Sequence, residues 1–183
     1  DGGQADDIIT GGDGNDTLLG SDGNDNIDGM AGMDFLVGGS DNDTLAGGTE
    51  NDTIRGGDGD DSILGQDGND VIHAGDGQDS VFGGNGNDTM TGGDGNDFVQ
   101  GQAGADILLG GDGNDIIGGG GGRDVLLGGD GDDTVNGNSG TDTLAGNQGS
   151  DRVANPTGAD VIDEQFRLDA AIAIMLETLA PTA

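Results

Sequence analysis

Residues 11–19 read Gly-Gly-Asp-Gly-Asn-Asp-Thr-Leu-Leu, and residues 92–100 repeat the pattern as Gly-Gly-Asp-Gly-Asn-Asp-Phe-Val-Gln. Extended outward from these two stretches, the nine-residue unit begins at Gly2 and runs without insertion to Asp163, giving eighteen nonamers. We number the positions within each nonamer from one to nine. An uninterrupted repeat of this length is typical of a solenoid, in which each unit packs only against its neighbours.

Two positions of the nonamer never change character along the array. Position six is Asp in all eighteen nonamers, and position eight is always apolar, from Ile9 and Leu18 to Val153 and Ile162. A disordered acidic chain has no physical reason to keep both patterns, because neither would bring its side chains together. The repeat therefore predicts a folded structure with one recurrent polar site and one recurrent core residue per unit.

The spacing predicts how a nonamer folds. Positions seven to nine favour a three-residue strand that turns position eight inward, because side chains alternate across a strand. The Gly-rich first six positions favour a turn, so each nonamer forms half a coil and two nonamers form one coil. The predicted fold class is all-β, a right-handed parallel β-roll with a short C-terminal capping helix.

Composition restricts both the core and the partners. The 183 residues include 44 Gly and no Cys, Trp or Tyr, and 37 acidic residues against four basic ones leave a formal net charge of −33. A chain this acidic repels nucleic acid and anionic membranes, and no stretch is long and apolar enough to span a bilayer. A core of one inward side chain per nonamer cannot by itself offset the entropy of ordering nine residues. The composition therefore points to cations as the partners that complete the fold.

The position-six aspartates are the predicted metal ligands. Aspartates of nonamers one coil apart, such as Asp16 and Asp34, should lie about 4.8 Å from each other, which is about twice a calcium–oxygen distance. Calcium accepts carboxylate and backbone carbonyl oxygens in irregular geometry, whereas zinc and copper would need His or Cys, and His73 is the single His. Pairing along the array allows up to about 16 calcium ions. The predicted ligands are Asp7, Asp16, Asp25, Asp34, Asp43, Asp52, Asp61, Asp70, Asp79, Asp88, Asp97, Asp106, Asp115, Asp124, Asp133, Asp142, Asp151 and Asp160.

On these residues the array resembles the RTX (repeats-in-toxin) family, whose hemolysin-type GGxGxDxUx nonapeptide binds calcium in a parallel β-roll. The resemblance covers residues 2–163. It implies that Asp side chains and backbone carbonyls of successive loops hold calcium between coils. It also implies that a type I secretion system exports the chain unfolded from a bacterial cell, and that the chain folds outside, where calcium is plentiful.

The chain divides into two predicted parts. Residues 1–163 form the β-roll, and residues 164–183 form a Gly-free amphipathic helix whose apolar face carries Leu168, Ile172, Met175 and Leu179. We interpret this helix as a cap over the open end of the core, and it is compatible with part of a secretion signal. The start at Asp1, without Met or leader, suggests a piece of a longer array.

Departures from the consensus predict weaker calcium sites. Ala5, Asp41 and Glu50 replace Gly at position four, where a left-handed backbone is expected. Loops around Asp43 and Asp52 should therefore bind less tightly. Asn155-Pro156 replaces Gly-Gly in the last nonamer, which makes Asp160 the least secure ligand.

One outer sheet face is predicted to be more apolar than the other, which carries mostly Ser, Thr, Asn and Asp. The more apolar face is either an ordinary β-sheet surface or a docking patch. A docking patch would contact a second copy of the chain, the terminal helix or an upstream domain. Its apolar residues are Leu19, Phe35, Val37, Val71, Ile107, Leu109, Val125 and Leu127.

The sequence does not predict an enzyme. His73 lies at an outward position nine with no recurring nucleophile beside it, and no G-x-S-x-G or H-E-x-x-H motif occurs. The favoured function is a calcium-binding secretion and folding module of a larger exported protein, whose upstream part could carry a catalytic domain. The alternative is a structural repeat of a surface-layer or adhesin-type protein. Ice binding is disfavoured because position seven does not present an unbroken file of Thr.

Overall fold

The structure is a computed structural model, and it describes residues 1–154 and the backbone of residues 161–162. Every regular element within these residues is a β-strand. In chain order the strands are β1 (Gly3–Gln4), β2 (Ile8–Asp13), β3 (Thr17–Asp22), β4 (Asn26–Ala31), β5 (Phe35–Ser40), β6 (Thr44–Thr49), β7 (Thr53–Asp58), β8 (Ser62–Asp67), β9 (Val71–Asp76), β10 (Ser80–Asn85), β11 (Thr89–Asp94), β12 (Phe98–Ala103), β13 (Ile107–Asp112), β14 (Ile116–Gly122), β15 (Val125–Asp130), β16 (Thr134–Gly140), β17 (Thr143–Gln148), β18 (Arg152–Ala154) and β19 (Val161–Ile162).

The strands form two parallel sheets on opposite sides of the coil. The ten odd-numbered strands, from β1 to β19, make one sheet, which we call sheet A. The nine even-numbered strands, from β2 to β18, make the other sheet, which we call sheet B. Neighbours within a sheet pair at an offset of 18 residues, as Val81 does with Val99. This offset confirms the all-β parallel β-roll with two nonamers per coil.

The core is the seam of position-eight side chains predicted from the sequence. These residues, from Ile27 to Leu144, are at most 1% exposed, and Ile9 and Val153 pack partly buried at the two ends of the described seam. One Ala joins them, because Ala74 stands at position one, which also points inward. The two sheets therefore share one narrow apolar interior.

The strands are longer than the sequence predicts. Most contain six residues, because pairing skips position one of the next nonamer and resumes at positions two and three, where Gly84 pairs with Gln102 and Asn85 with Ala103. The predicted three-residue strand was wrong, since the strand runs on past position one, and position two pairs with the neighbouring coil although its backbone φ is positive, 118° in Gly84. The turn is correspondingly shorter and is confined to positions four to six.

The predicted C-terminal helix lies outside the described residues, as does the boundary at residue 163. Within residues 1–154 and 161–162, we find no helix that could cross a membrane.

Candidate metal centre

Each position-six Asp lies in a turn immediately before a strand. Asp97, for example, directly precedes β12, and the repeat places Asp79 one coil before it and Asp115 one coil after it. The aspartates therefore form two files, one along each turn of the coil. Those from Asp25 to Asp142 are only 1–3% exposed.

One carboxylate oxygen of each aspartate ties two coils together. The backbone N–H of Asp79 donates to Oδ1 of Asp97 at 2.9 Å, and the N–H of Asp97 donates to Oδ1 of Asp115 at 2.8 Å. The same bond recurs from Asp7, which donates to Asp25, to Asp133, which donates to Asp151. From Asp25 to Asp151, one oxygen of each carboxylate is therefore satisfied by the backbone of the preceding coil.

The other carboxylate oxygen has no donor. Oδ2 is buried without a hydrogen-bond partner in fifteen aspartates. Leaving a buried charged oxygen unsatisfied is costly, and a file of them requires a compensating charge. The fifteen are Asp7, Asp16, Asp25, Asp34, Asp43, Asp52, Asp61, Asp70, Asp79, Asp88, Asp97, Asp106, Asp115, Asp124 and Asp133.

Glycine at position one keeps a space open beside these oxygens, except beside Asp79, where position one is Ala74. A Cβ built on Gly11 would lie 2.8 Å from Asp16 Oδ2 and 2.7 Å from the carbonyl oxygen of Gly29. On Gly2 the corresponding distances to Asp7 Oδ2 and the Gly20 carbonyl oxygen are 2.6 and 2.8 Å. The space that the missing side chain leaves is therefore lined by a carboxylate and a carbonyl from successive coils.

The electrostatic environment of the files opposes the charged carboxylate. Burial raises the pKa of Asp97 to about 6; the backbone N–H of Asp79 lowers it, and the Asp79 and Asp94 carboxylates raise it further. Burial likewise raises the pKa of Asp52, Asp61 and Asp88 to about 7. Without a cation, the folded roll holds these protons more tightly than an unfolded chain does.

The donor chemistry fits calcium. Among the described residues, no group of three or more acidic or His side chains surrounds a common point, so side chains alone do not form a cage. A shell must combine Asp oxygens with backbone carbonyls such as that of Gly29. All of these are hard oxygen ligands, which calcium prefers and tolerates in irregular geometry.

The comparison with protein-family models decides the family. The model of the RTX calcium-binding nonapeptide repeat matches residues 1–36, 37–72, 56–90, 64–99, 82–117, 91–126 and 118–153. The chain belongs to the RTX family. Its repeats are calcium-binding repeats, which confirms the resemblance found on the nonamers. The comparison with curated proteins found no match.

The RTX roll contains a second set of ties that the sequence reasoning missed. Side chains at position five accept hydrogen bonds from the backbone of the following coil, as Asn96 Oδ1 does from the Asn114 N–H at 2.7 Å. Position-six carboxylates accept from the preceding coil, so the two ladders run in opposite directions. The sequence feature that could have predicted these hydrogen bonds is the frequent Asn or Asp at position five. The sequence analysis included this position only as part of the turn. Its acceptors are Asp6, Asn15, Asn24, Asn42, Asn51, Asp60, Asn69, Asn87, Asn96, Asn114 and Asp132.

Two predicted ligands at the end of the RTX roll differ from the rest. Asp151 is half-buried and accepts from the Asp133 N–H at 3.0 Å, but its Oδ2 is not among the buried unpartnered oxygens. Asp160 lies outside the described residues. The ligand set that the structure brings into register therefore extends from Asp7 to Asp151.

The non-Gly residues at position four behave differently from one another. Asp41 and Glu50 adopt left-handed backbone with φ of 74° and 75°, as the repeat predicts, whereas Ala5 does not. Glu50 Oε2 accepts from the Gly32 N–H at 2.9 Å and from Thr49 Oγ1 at 2.7 Å, which partly offsets the strain. Position two is also left-handed, and non-Gly residues such as Met30 and Gln66 occupy it, which the sequence reasoning did not foresee.

The outer faces of the RTX roll differ from the expectation. The predicted apolar residues lie on sheet A, where they are half-buried except Leu127, which is buried. Exposed apolar side chains lie instead on sheet B, where Leu64, Phe98 and Ile116 are 37%, 36% and 51% exposed. The prediction of a mostly polar sheet B was wrong in its middle coils, where Phe82 also packs against Phe98 with ring centroids 5.7 Å apart.

Proposed function

We propose that this RTX roll is a calcium-triggered folding module that serves as the secretion and folding domain of a larger exported bacterial protein. In this role the roll is not itself an enzyme. The position-six aspartates from Asp7 to Asp160 are the proposed ligands, with up to about 16 ions held between coils. Backbone carbonyls complete each shell.

The observation that supports this proposal is the continuous file of buried carboxylate oxygens without donors. A file of like charges separated by about one strand spacing costs roughly 3.5 kcal/mol per pair at an effective dielectric of about 20. Burial of the narrow seam of position-eight residues cannot offset both this repulsion and the conformational entropy lost in ordering 44 Gly. Binding that depends on the folded coil becomes folding free energy, so calcium loading and folding are coupled.

The compartment follows from this coupling. RTX repeat proteins are typically secreted by bacteria, and calcium is scarce inside cells and plentiful outside. A chain that folds only when loaded stays unfolded before export and folds after it. The proposed midpoint lies on the order of 10⁻⁴–10⁻³ M calcium, the range of extracellular calcium modules.

A far-ultraviolet circular dichroism titration of the chelated protein tests the proposal, with magnesium as the matched control ion. We expect a coil spectrum that converts cooperatively to β with calcium and not with magnesium, because magnesium requires near-octahedral geometry and keeps its waters. A β spectrum without any divalent ion at about pH 8, where the carboxylates are charged, would contradict the proposal. So would a midpoint in the submicromolar range, because the chain would then fold before export.

A second candidate function is supported by the exposed apolar group Leu64, Phe98 and Ile116 on sheet B. A surface-layer or adhesin-type repeat that associates with a second copy would use such a patch. Sedimentation velocity of the calcium-loaded chain separates the two functions. Concentration-dependent dimers that Ile116→Ser abolishes would favour the structural role, and a monomer at all concentrations would exclude it.

A further inference from the structure

Four apolar side chains form a continuous group on the outer face of sheet B. Leu64 of β8 pairs in register with Phe82 of β10. Phe98 of β12 pairs in the same way with Ile116 of β14. The rings of Phe82 and Phe98 lie 5.7 Å apart between centroids and join the two pairs. Phe82 is half-buried and the other three are exposed, and we call the four residues the apolar stripe.

A file of exposed carboxylates borders sheet B on the side where its strands begin. Position three is Asp in five successive strands of sheet A, and each of these residues precedes a turn that leads into a strand of sheet B. Strand pairing spaces them about 4.8 Å apart, which concentrates negative potential along this edge. We call them the acidic file; they pair in register and are all exposed, and they are Asp58, Asp76, Asp94, Asp112 and Asp130.

The apolar stripe and the acidic file adjoin each other at β12 and β14. The stripe runs diagonally, from position nine in β8 and β10 to position seven in β12 and β14. Position seven begins the strand and is therefore nearer to the file. Asp94 precedes Phe98 by four residues, and Asp112 precedes Ile116 by four, so the Cα atoms of each pair are at most about 14 Å apart. Apolar and anionic groups thus form neighbouring parts of one surface.

We propose that this surface docks a basic amphipathic helix of another polypeptide, with the apolar face of the helix on the stripe and its Lys or Arg side chains against the acidic file. With its side chains a helix is about 10–12 Å wide, which matches the distance between stripe and file. Cationic residues along one helix edge recur about every 5.4 Å, close to the spacing of about 4.8 Å between carboxylates. The stripe extends over about 14 Å, so about ten residues of helix cover it.

Charge favours this cationic partner over a second copy of the chain. Two chains that each carry a formal net charge of −33 repel each other. Arg152 limits the surface at one end, because it stands at position seven of β18, two strands beyond Ile116 on the same face, and repels a cationic partner. The docking surface therefore comprises β8 to β14 and the turns that precede them. It exists only in the folded roll, because stacking of the coils brings these residues together.

Binding of a synthetic peptide to the calcium-loaded full chain tests the proposal. The probe is a fluorescent helical peptide of about fourteen Leu and Lys residues, with Leu on one face and Lys on the other. The control peptide has the same composition in an order that leaves no apolar face. We expect saturable binding of the first peptide, measured by fluorescence anisotropy, and at least about tenfold weaker binding of the second. The chelated chain should bind both peptides alike, because an unfolded polyanion attracts cations without regard to their order.

Matched substitutions test the apolar contribution. Phe98→Ser should weaken binding of the first peptide at least about tenfold, because it removes the centre of the stripe. Ile116→Ser is the second probe, used if Phe98→Ser does not give the β spectrum. Ile8→Ser is the control, since Ile8 is 85% exposed at position seven of the same sheet but lies on β2, three strands before β8. The control should leave the affinity unchanged.

A second pair of variants tests the electrostatic contribution. Asp94→Asn combined with Asp112→Asn should weaken binding about three- to fivefold and reduce its dependence on salt, because the two carboxylates beside the stripe lose their charge. Asp13→Asn combined with Asp22→Asn removes the same charge from position three in the first coils. This control should change the affinity by less than about twofold.

Four outcomes would overturn the proposal. The first is the absence of saturable binding to the calcium-loaded chain. Equal affinity for the two peptides, or equal losses for the two double variants, would show that net charge alone attracts the peptide. Binding that neither Phe98→Ser nor Ile116→Ser weakens would place the peptide elsewhere on the roll. Dimers that form without peptide and that Ile116→Ser abolishes would assign the surface to a second copy of the chain.

Discussion

The backbone N–H of Asp79 donates to Oδ1 of Asp97 at 2.9 Å, while Oδ2 of Asp97 is buried with no donor. The two oxygens of one carboxylate therefore have different tasks. Oδ1 links successive coils, and Oδ2 remains available for a ligand. A substitution that keeps the hydrogen bond to Oδ1 and removes Oδ2 therefore distinguishes a structural aspartate from a calcium ligand.

Asp97→Asn keeps an oxygen acceptor for the Asp79 N–H but replaces the free oxygen by an amide NH2 group, which cannot bind calcium. We expect the calcium midpoint of folding to rise by roughly twofold or more, because sites on both sides of Asp97 lose an anionic ligand. Asp94→Asn removes the same charge from an exposed residue three positions earlier and is the control. A calcium titration followed by circular dichroism measures both. Equal midpoint shifts would mean that net charge, and not ligation by Asp97, controls folding.

Ala74 identifies a coil where calcium should bind weakly. It carries, at position one, the methyl group that glycines such as Gly92 lack, and the repeat places it beside Asp79. Ala74→Gly reopens the space, so we expect a lower calcium midpoint even though Gly costs roughly 0.5–1 kcal/mol more backbone entropy than Ala.

Gly92→Ala makes the reverse change, because its Cβ would lie 2.7 Å from the Gly110 carbonyl oxygen and 2.8 Å from Asp97 Cβ. We expect it to raise the midpoint. Calorimetric titration counts the ions bound by each variant. A higher midpoint for Ala74→Gly would show that the space beside position one does not limit binding.

The metal-free roll should gain stability on acidification. The pKa of Asp52, Asp61 and Asp88 is raised to about 7 and that of Asp97 to about 6, against 3.8 in an unfolded chain. At a pH between the folded and unfolded pKa values, the folded state binds more protons than the unfolded chain. The stability of the folded state therefore rises as pH falls through about 7 to 6 and is greatest below about 4.

Circular dichroism in metal-free buffer measures this effect as a gain of β signal between about pH 8 and pH 4. The calcium-loaded roll is the control and should lose affinity over the same range, because protons compete for the same oxygens. A metal-free chain that stays a coil throughout would contradict the expected relief of repulsion.

Met30 provides a test of backbone strain. It adopts left-handed φ of 75° with its side chain 47% exposed, so its substitution changes little packing. Met30→Gly removes a penalty of about 1–2 kcal/mol and adds about 0.5–1 kcal/mol of chain entropy, so we expect a net gain of about 0.5–1 kcal/mol.

Met33 is the matched control, because it is 55% exposed and is not among the left-handed residues. Met33→Gly should lose about 0.5–1 kcal/mol. Urea unfolding in saturating calcium measures both free energies. A loss for Met30→Gly as large as that for Met33→Gly would show that position two is not strained.

The order of the nonamer predicted most of this structure. An apolar residue every nine positions can reach a common interior in one way only, with two nonamers per coil, and the 18-residue register follows. The same 18-residue register places the position-six aspartates of successive coils in line with one another. Strand length escaped prediction because Gly favours no single backbone conformation, and only pairing with the neighbouring coil at positions two and three extends the strand beyond position nine.

The sequence by itself determined the periodicity, the core residues, the charge and the aspartate at every position six, because these depend only on the order of residues along one chain. The tertiary structure alone decided which oxygen of each aspartate is free, which way the two side-chain ladders run, and that Leu127 is buried while Leu64 is exposed. These features depend on contacts between residues 18 or more positions apart. Such contacts exist only after the coils have stacked, and the residue types at positions five, six and nine are compatible with more than one arrangement until then.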